Sequence, residues 1–585
     1  MMNLSFQMLY RTLLLGVLSF ALACAEGDEP GEGADDALFA LDHLLDVRVN
    51  IEEENWDNLR FERRSLVEIF GPGCYDPIPD AFNYYPGNIE VDGESLDNVG
   101  IRAKGFLGSL NPARPSLKVK LQEYEEGLRH KGYKRFTFNN QNQDISRLTS
   151  CMAYYVFDRM GVPASRCNFA KMTINDKAMG IYAHVEPIKK PMLRRHFDDD
   201  SGNLYEGTVA DLRTDFTSRI EKKTNEEENN WQDIDKLVAA IESPDDVFVE
   251  KISEVLDLDA YIRFTIAEAM IGHWDGFSGN TNNYYFYNNP TNNKFYFLPW
   301  GPDGTFNYDQ GAFTPRDDAE PQIAYGNSLL ARRLYEHPET QDLYRNTMRA
   351  MLQESWDTEA LLGVVDQMYN LTTPHVLEPE EEEYLEKVIS VRNFVETRKE
   401  ILEKELDGDP VPFVEELPEE PFCMERVGEI NIELSTTWGS LGAENPFGEG
   451  DGYMQGNVGS WPINSEYLGP TAGIEDEDEE EDKDSSSGVA AISALSPLGD
   501  DKFLALYLTL PVSEISAGAL ISTTSSKVNA YFLYVDGFES FFPLGWVGPG
   551  EIRFSENTQT RKGEPIEAEI SFELWGEGDD DEDEE

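Results

Sequence analysis

Basic residues are scarce in this chain. Among 585 residues there are 48 Lys and Arg against 111 Asp and Glu, a formal net charge of −63. A polyanion of that strength is repelled by phosphate backbones, which excludes general nucleic-acid binding, and it has no charge-based attraction to anionic lipid headgroups. Cysteine is sparse too, with five residues whose spacing matches no zinc motif. No Walker A sequence, G-x-G-x-x-G loop, H-E-x-x-H or G-x-S-x-G occurs, so the common zinc-protease and serine-hydrolase readings fall away. Past residue 23 no apolar run is long enough for a membrane span of ~20 residues.

What is present suffices for real cores: 40% hydrophobic and 11% aromatic residues. At ~100–200 residues per domain the length suggests two to four units. The acidic runs at 475–482 and 577–585 carry only a small part of the excess charge, so the folded surface is itself acidic. We read that surface as a solubility device, with divalent-cation binding the alternative.

Residues 1–23 read as a signal peptide. Arg11 precedes an apolar run from Thr12 to Ala23, too short for a comfortable span and suited to a signal core. Ala21-Leu22-Ala23 fits ordinary cleavage. Cys24 follows directly and offers lipidation of its thiol, although the lipobox leucine stands at Leu22 rather than at position 21. Residues 24–37 form a flexible acidic tether, which favours a cell-envelope lipoprotein over a freely secreted protein. Either way the expected location is outside the cytoplasm, the only expected membrane contact being an N-terminal lipid. Exported cysteines pair, and Cys151 with Cys167 is the preferred disulfide because they flank one helix and the start of the next strand.

Residues 38–125 look β-rich. Val47-Arg48-Val49-Asn50-Ile51 and Leu117-Lys118-Val119-Lys120-Leu121 alternate, the latter placing both lysines on one face. Leu148, Met152, Tyr155, Val156 and Met160 share a helical face that Gly161 ends. Residues 230–271 and 328–406 read as helical, with Leu258, Ile262 and Ile266 as core positions and a Pro- and Glu-rich interruption near 372–383. Residues 407–421 carry four prolines among acids and form a linker. Residues 422–576 are β-rich and sandwich-like, with an acidic loop at 475–487, and 577–585 form an acidic disordered tail.

Three segments carry residue types suited to phosphoryl transfer. In His273-Trp274-Asp275-Gly276-Phe277-Ser278-Gly279-Asn280, a carboxylate and a carboxamide stand five residues apart after a long helix. Protein kinases use that spacing to orient a substrate hydroxyl and hold Mg²⁺. Asn282 and Asn283 compete for the carboxamide role, and an Asx-turn network is the plain alternative. A buried strand then delivers Asp303 to the turn Pro302-Asp303-Gly304, where a hard cation would find carboxylate oxygen. Lys118 and Lys120 on the early strand, with Glu186 after a hairpin, could form the kinase lysine–glutamate pair, against the commoner case of a surface strand lysine.

The order of these segments resembles the spore coat protein H (CotH-like) family of atypical, exported protein kinases. The matching stretches are Val99-Gly100-Ile101-Arg102-Ala103-Lys104-Gly105, Ser116-Leu117-Lys118, Ser146-Arg147-Leu148 and Met160-Gly161-Val162-Pro163. Met179-Gly180-Ile181-Tyr182, Val185-Glu186-Pro187-Ile188 and Gly202-Asn203-Leu204-Tyr205 follow, then Asp275 with Asn282-Asn283-Tyr284-Tyr285 and Pro299-Trp300 with Asp303. The resemblance spans roughly 40–405 and implies an α+β fold: an atypical protein-kinase-like domain over 38–406 with a helical C-lobe, followed by the β-rich domain. It implies ATP and Mg²⁺ (or Mn²⁺) as cofactors and Ser or Thr of a surface protein as substrate. Carried over by position, Asp275 would be the catalytic acid/base and Asp303 the main metal ligand. Lys118, with Lys104 or Arg102, would hold phosphates, and Glu186 would partner a phosphate-binding lysine. Asn280 as a second metal ligand follows from spacing alone. One position departs: where the family often has Trp-Asp-x-Asp, Gly301 replaces the first Asp. That departure supports a rival reading, a surface binding or structural lipoprotein that kept the fold and lost catalysis.

The anchor can be checked directly. Cys24→Ser should release the protein from the membrane fraction. A wild-type protein that is already soluble and begins at Cys24 or later without lipid would leave simple secretion standing.

Overall fold

Alternating apolar residues in the first third of the chain close a barrel. The computed structural model describes residues 36–308, 320–377, 381–440, 450–465, 471–474, 488–499, 502–536 and 540–577. The expected signal peptide, Cys24, most of the tether, the 475–487 loop and the tail beyond Glu577 lie outside the described residues. The barrel strands are β1 (Leu44–Ile51), β2 (Tyr85–Val91), β3 (Glu94–Lys104), β4 (Ser116–Lys120), β5 (Arg135–Asn139), β6 (Cys167–Ile174) and β7 (Lys177–Val185). Their order is β1-β2-β3-β4-β5-β7-β6, and parallel pairing of Leu44–Val49 with Phe169–Ile174 shuts the ring. Inward residues such as Val47, Val49, Ile101, Val119, Phe136 and Phe138 fill it. Burial along β1 alternates, as a strand with one face on a core must.

The helix Thr149–Arg159 lies between β5 and β6 and packs on β6 and β7. The Cys151–Cys167 disulfide joins that helix to the first residue of β6, the pair expected from the sequence.

Beyond the barrel, β8 (Asn203–Gly207), β9 (Ile220–Lys222), β10 (Tyr284–Asn289) and β11 (Lys294–Pro299) form a sheet in the order β11-β10-β8-β9. Helices cover it. The central one, Leu258–Ile271, is buried on nearly all sides because its sequence is apolar on every face. Asp257 caps its start by accepting from the Ala260 N–H at 3.1 Å, and Gly272, in the left-handed conformation at φ 69°, ends it. Ile262 and Ile266 are core residues there, while Leu258 is partly buried. The helices Leu329–Glu336, Pro338–Glu354, Thr358–Thr372 and Glu381–Asp407 complete this half. Arg398, on the last of them, is fully buried and donates to the carbonyls of Ala269 (2.5 Å), Met270 (3.2 Å) and Gln322 (3.1 Å). A cation there satisfies carbonyls that a helix end leaves without partners. Among the described residues no helix is long and apolar enough to cross a membrane.

Among the described residues of 425–576, ten strands form one continuous sheet. This corrects the expected sandwich of two stacked sheets. The strand Pro565–Gly576 pairs with both Glu425–Ser440 and Ser540–Phe554, so the hydrogen-bonded path returns on itself. The long strands carry register shifts at 426/428, 532/533 and 547/550, and such bulges bend and twist a strand enough to wrap a sheet around its core. A second disulfide, Cys74–Cys423, ties the entry of this domain to the segment after the helix Leu66–Phe70. Beside it Ile69, Phe70, Ile78 and Met424 form a small core with Trp546 and Trp575.

Replacing Arg398 by Met removes the charged donor and leaves buried carbonyls unpaired, at a cost on the order of 3 kcal/mol. We expect a lower urea midpoint for loss of helical circular dichroism. An unchanged midpoint would show that other groups hold the end of Leu258–Ile271.

Candidate functional site

The β10–β11 hairpin assembles the site. Tyr284 pairs with Pro299, so the loop entering β10 and the loop leaving β11 emerge from the same end of the ladder. Asp275 is on the first loop and Asp303 on the second. The link is reinforced where the Trp300 N–H donates to the Asn283 carbonyl at 3.1 Å.

The Asp275 loop is fastened to its preceding helix by Glu268. This buried carboxylate accepts from the N–H groups of Phe277 (2.9 Å) and Ser278 (3.1 Å). The backbone comes so close that a Cβ at Gly276 would lie 2.2 Å from Glu268 Oε1. Burial raises the Glu268 carboxyl from 4.5 to about 7, against the pull of those donors. Asp275 is in turn held by three carboxamides. Asn280 and Asn282 donate to Oδ1 at 2.7 and 3.2 Å, and Asn283 donates to Oδ2 at 2.7 Å. Burial raises the Asp275 carboxyl and the three amides oppose the rise. Asn280 therefore meets Asp275 through its amide nitrogen, which leaves its carbonyl oxygen as the atom available to a cation. The sequence pattern did not distinguish among the three asparagines, and all three converge.

Asp303 is buried, and its carbonyl accepts from Thr149 Oγ1 at 2.7 Å, which ties the turn to the first residue of the helix Thr149–Arg159. Asp144, just before that helix, accepts from Ser146 Oγ (2.5 Å) and the Thr149 N–H (2.8 Å). Burial pushes the Asp303 carboxyl to about 7; Lys104 pulls it back, and Asp275 and Asp144 push it further up. Asp144 was not singled out by sequence, although Asp-x-Ser-x-x-Thr before an apolar helical face is a helix-start signal.

The cations come from the barrel. In the β3–β4 pairing Arg102 lies opposite Lys118, and Lys104 lies opposite Ser116. Neither Lys104 nor Lys118 has a hydrogen bond or an ion pair within 4 Å among the described residues. Burial lowers Lys104, and Asp303 and Glu206 oppose that. Lys118 falls to about 7 through burial, helped by Arg102 and Lys104 and opposed by Glu206. Arg102 turns its guanidinium toward Asp80 Oδ1 (3.5 Å) and the Phe82 carbonyl (3.4 Å). Lys120 leaves the group and pairs with Glu123 at 2.6 Å.

The acid facing these lysines is Glu206 on β8. Burial alone would raise its carboxyl, but Lys223 (2.9 Å), Lys118 and the Tyr285 hydroxyl hold it at about 2. Glu186, the expected partner, lies elsewhere in charge terms: it is buried in ion pairs with Arg166 (2.7 Å) and Arg195 (2.5 Å). Glu206 directly follows the Gly202-Asn203-Leu204-Tyr205 stretch, so the signal for it ended one residue short.

No group of three His, Cys, Asp or Glu side chains is arranged around a common metal position among the described residues. The donor set nonetheless fits a nucleotide-bound divalent cation, which takes only one or two protein carboxylates and completes its shell with phosphate and water. Asp303 could supply a hard-oxygen ligand to such an ion, and the Asn280 carbonyl oxygen could supply a second.

The fold and site thus define a mixed α+β protein that sets half-buried lysines near the buried Asp303 and the half-buried Glu206 and Asp275. The CotH kinase protein family matches residues 101–402, more than half of the chain, and the chain belongs to that family. It is 23% identical over 258 residues to inner spore coat protein H of Bacillus subtilis (strain 168), covering 42% of this chain and 70% of that protein. It is 24% identical over 257 residues to invasin CotH7 of Rhizopus delemar, covering 41% of this chain and 42% of that one. Spore coat protein homolog 1 of the same fungus is 23% identical over 253 residues, again 42% of its length. The chain therefore spans less than half of these fungal relatives. Superposition on the crystal structure of the Helicobacter pylori proinflammatory kinase CtkA covers 52% of this chain and 92% of that one, with 12% identity and a TM-score of 0.27, too loose to define a shared fold.

Glu268→Ala strands two buried N–H groups, at ~1–3 kcal/mol each, and should speed hydrogen exchange at residues 276–280. The proton linkage has a definite sign. A carboxyl raised by folding adds stability that is fully present below about 4.5 and is lost as pH rises through about 7. Glu268→Gln should therefore flatten the pH dependence of the melting temperature between pH 5 and 8. A variant with the wild-type slope would assign that linkage elsewhere.

Proposed function

We propose that this protein is an atypical protein kinase that transfers the γ-phosphate of ATP to Ser or Thr of a surface protein, with Mg²⁺ or Mn²⁺. The observation that carries the reading is that Lys104, Lys118, Asp275 and Asp303, from separate segments, come within electrostatic reach: Lys104 acts on both Asp303 and Lys118, and Asp275 acts on Asp303. Membership of a family described as kinase supports it. The kinase-like arrangement is the barrel as the phosphate-holding lobe and the helical half as the lobe that carries the carboxylates.

A divalent cation bound with ATP would neutralise phosphate charge. Asp303 and the Asn280 carbonyl oxygen would hold it, and phosphates beside Lys104 and Lys118 would favour their charged forms against the opposing effect of burial. Asp275 would accept the proton of the acceptor hydroxyl. A carboxylate offers about four lone-pair sites, and three are taken by the asparagines, so one remains for that hydroxyl. The second reading, a binding protein without catalysis, is favoured by Gly301, which stands where the family often supplies another carboxylate.

The names of the relatives, spore coat and invasin proteins, together with two disulfides, support an exported or surface protein. Lipid attachment at Cys24 belongs to the same proposal.

The two carboxylates should fail differently. Asp303→Ala should abolish Mg²⁺-dependent nucleotide binding or weaken it severely. Asp275→Asn should leave nucleotide binding nearly intact and cut phosphate transfer by ~10²–10⁴-fold, the usual worth of a positioned acid/base. The assay is labelled ATP, either metal, a generic acceptor and autophosphorylation. A wild-type protein that neither binds nucleotide nor transfers phosphate overturns the kinase reading and leaves the binding protein.

A further inference from the structure

The seam between the barrel and the C-terminal domain encloses a cavity of about 140 Å³. One wall is the 60–66 segment between the helices Glu53–Phe61 and Leu66–Phe70, another runs from the end of β3 to the start of β4, and the third is the 523–531 stretch of the C-terminal domain. A single water needs only ~10–15 Å³ of such space, so the cavity has room for a polyatomic group.

Its charge is unusual for this chain. Arg63, Arg64 and Lys104 all line it, and none has an ion pair within 4 Å among the described residues. Arg63 reaches only the Ser526 carbonyl, through Nε at 3.4 Å, and burial lowers its guanidinium to about 10. Arg64 lies over the rings of Phe82 and Phe106, and its Nε, sealed from water, has no hydrogen-bond acceptor. The other charged groups on the lining are committed elsewhere. Arg60 pairs with Asp57 at 2.7 Å, and the Glu62 carboxylate accepts from the Asn83 backbone and side chain and from the Tyr85 hydroxyl. In a molecule of net charge −63, three cations line one cavity without a direct ion pair among the described residues; Glu221, Glu206 and Asp80 act on Arg64, and Asp303 and Glu206 on Lys104, only from a distance, and an anion in the cavity would meet all three directly.

We infer that this cavity is an oxyanion site of the phosphate class, built jointly by the barrel and the C-terminal domain. Arg63 and Arg64 supply planar donors suited to tetrahedral oxygens, and Ser525 and Asn529 line the cavity from the other domain. The anion binds between two domains, so occupancy also holds the C-terminal domain against the barrel. Lys104 is common to this cavity and the proposed nucleotide site, whereas Arg63 and Arg64 belong to the cavity alone, so their variants separate the two.

The test uses the full chain in EDTA without nucleotide, titrated with inorganic phosphate against chloride at matched ionic strength, read by calorimetry and thermal shift. Saturable phosphate binding with a raised melting temperature is expected. Arg63→Gln and Arg64→Gln should each weaken it at least tenfold, and Asn529→Leu, from the opposite wall, should do the same by filling the space. Asp303→Asn should leave it intact even if nucleotide binding is lost. Repeating the titration with O-phosphoserine identifies the source: tighter binding than phosphate marks a phosphorylated ligand, and equal or weaker binding marks the free ion. Absence of saturable binding in wild type, or retention of full affinity in folded Arg63→Gln and Arg64→Gln proteins with native circular dichroism, overturns the site.

Discussion

The register of β10 against β11 is the constraint on which the rest of the site depends. Tyr284 opposite Pro299 places the ends of two loops side by side, and those loops carry Asp275 and Asp303. A slip of one residue would exchange Tyr284, Phe286 and Phe297 of the large core with Tyr285, Tyr287 and Leu298 of the smaller core on the other face, so packing against two different cores enforces the alignment. The hairpin is fixed from outside as well. β8 pairs along the free edge of β10, and Glu206 projects from β8 beside the lysines of the barrel. One sheet thus sets three of the charged groups, and the barrel need only present Lys104 and Lys118 to it.

Desolvation then decides the chemistry. Every charged group in the cleft is penalised for leaving water, and none finds a single strong partner there except Glu206, which Lys223 holds ionised. Asp303 is raised and Lys104 and Lys118 are lowered because the compensating charges lie nearby without direct contact. In such a setting the charged form of each group would be favoured by an opposite charge placed directly beside it. The same physics operates at the domain seam, where Arg63 meets only a carbonyl, Arg64 Nε has no acceptor, and neither has an ion pair among the described residues.

What the sequence conveyed follows the range of each interaction. Asp275 and Asp303 were legible because turn residues surround them and each loop is local. The Cys151–Cys167 pair was legible for the same reason, whereas Cys74 and Cys423 stand 349 residues apart and are joined only by the packing of Ile69, Phe70 and Met424. Glu186 and Glu206 both follow motif-bearing strands, and nothing local says which faces β4. The difference is that Arg166 and Arg195 reach Glu186 first, a tertiary fact. Glu268 was hidden among apolar neighbours on a core helix, where a carboxylate has no periodic signature. The closed path of the C-terminal sheet depended on bulges, which leave alternation nearly intact on either side and so read as ordinary strands.

Gly301 gains a physical account from the same geometry. Its φ of 55° is one that L side chains rarely adopt, and a Cβ there would stand 2.8 Å from Asn283 Oδ1. Asn283 is the residue whose amide holds Asp275 Oδ2, while its carbonyl group receives the Trp300 N–H. A carboxylate at 301 would press on that asparagine and add a fourth acid beside Asp144, Asp275 and Asp303, of which all three are already raised by burial. The glycine and the asparagine therefore act as one unit: the absent side chain leaves room for Asn283 to close on Asp275, and the closure replaces a mobile ligand with a fixed amide. The departure at 301 changes how Asp275 is held before it changes how many oxygens a cation would find.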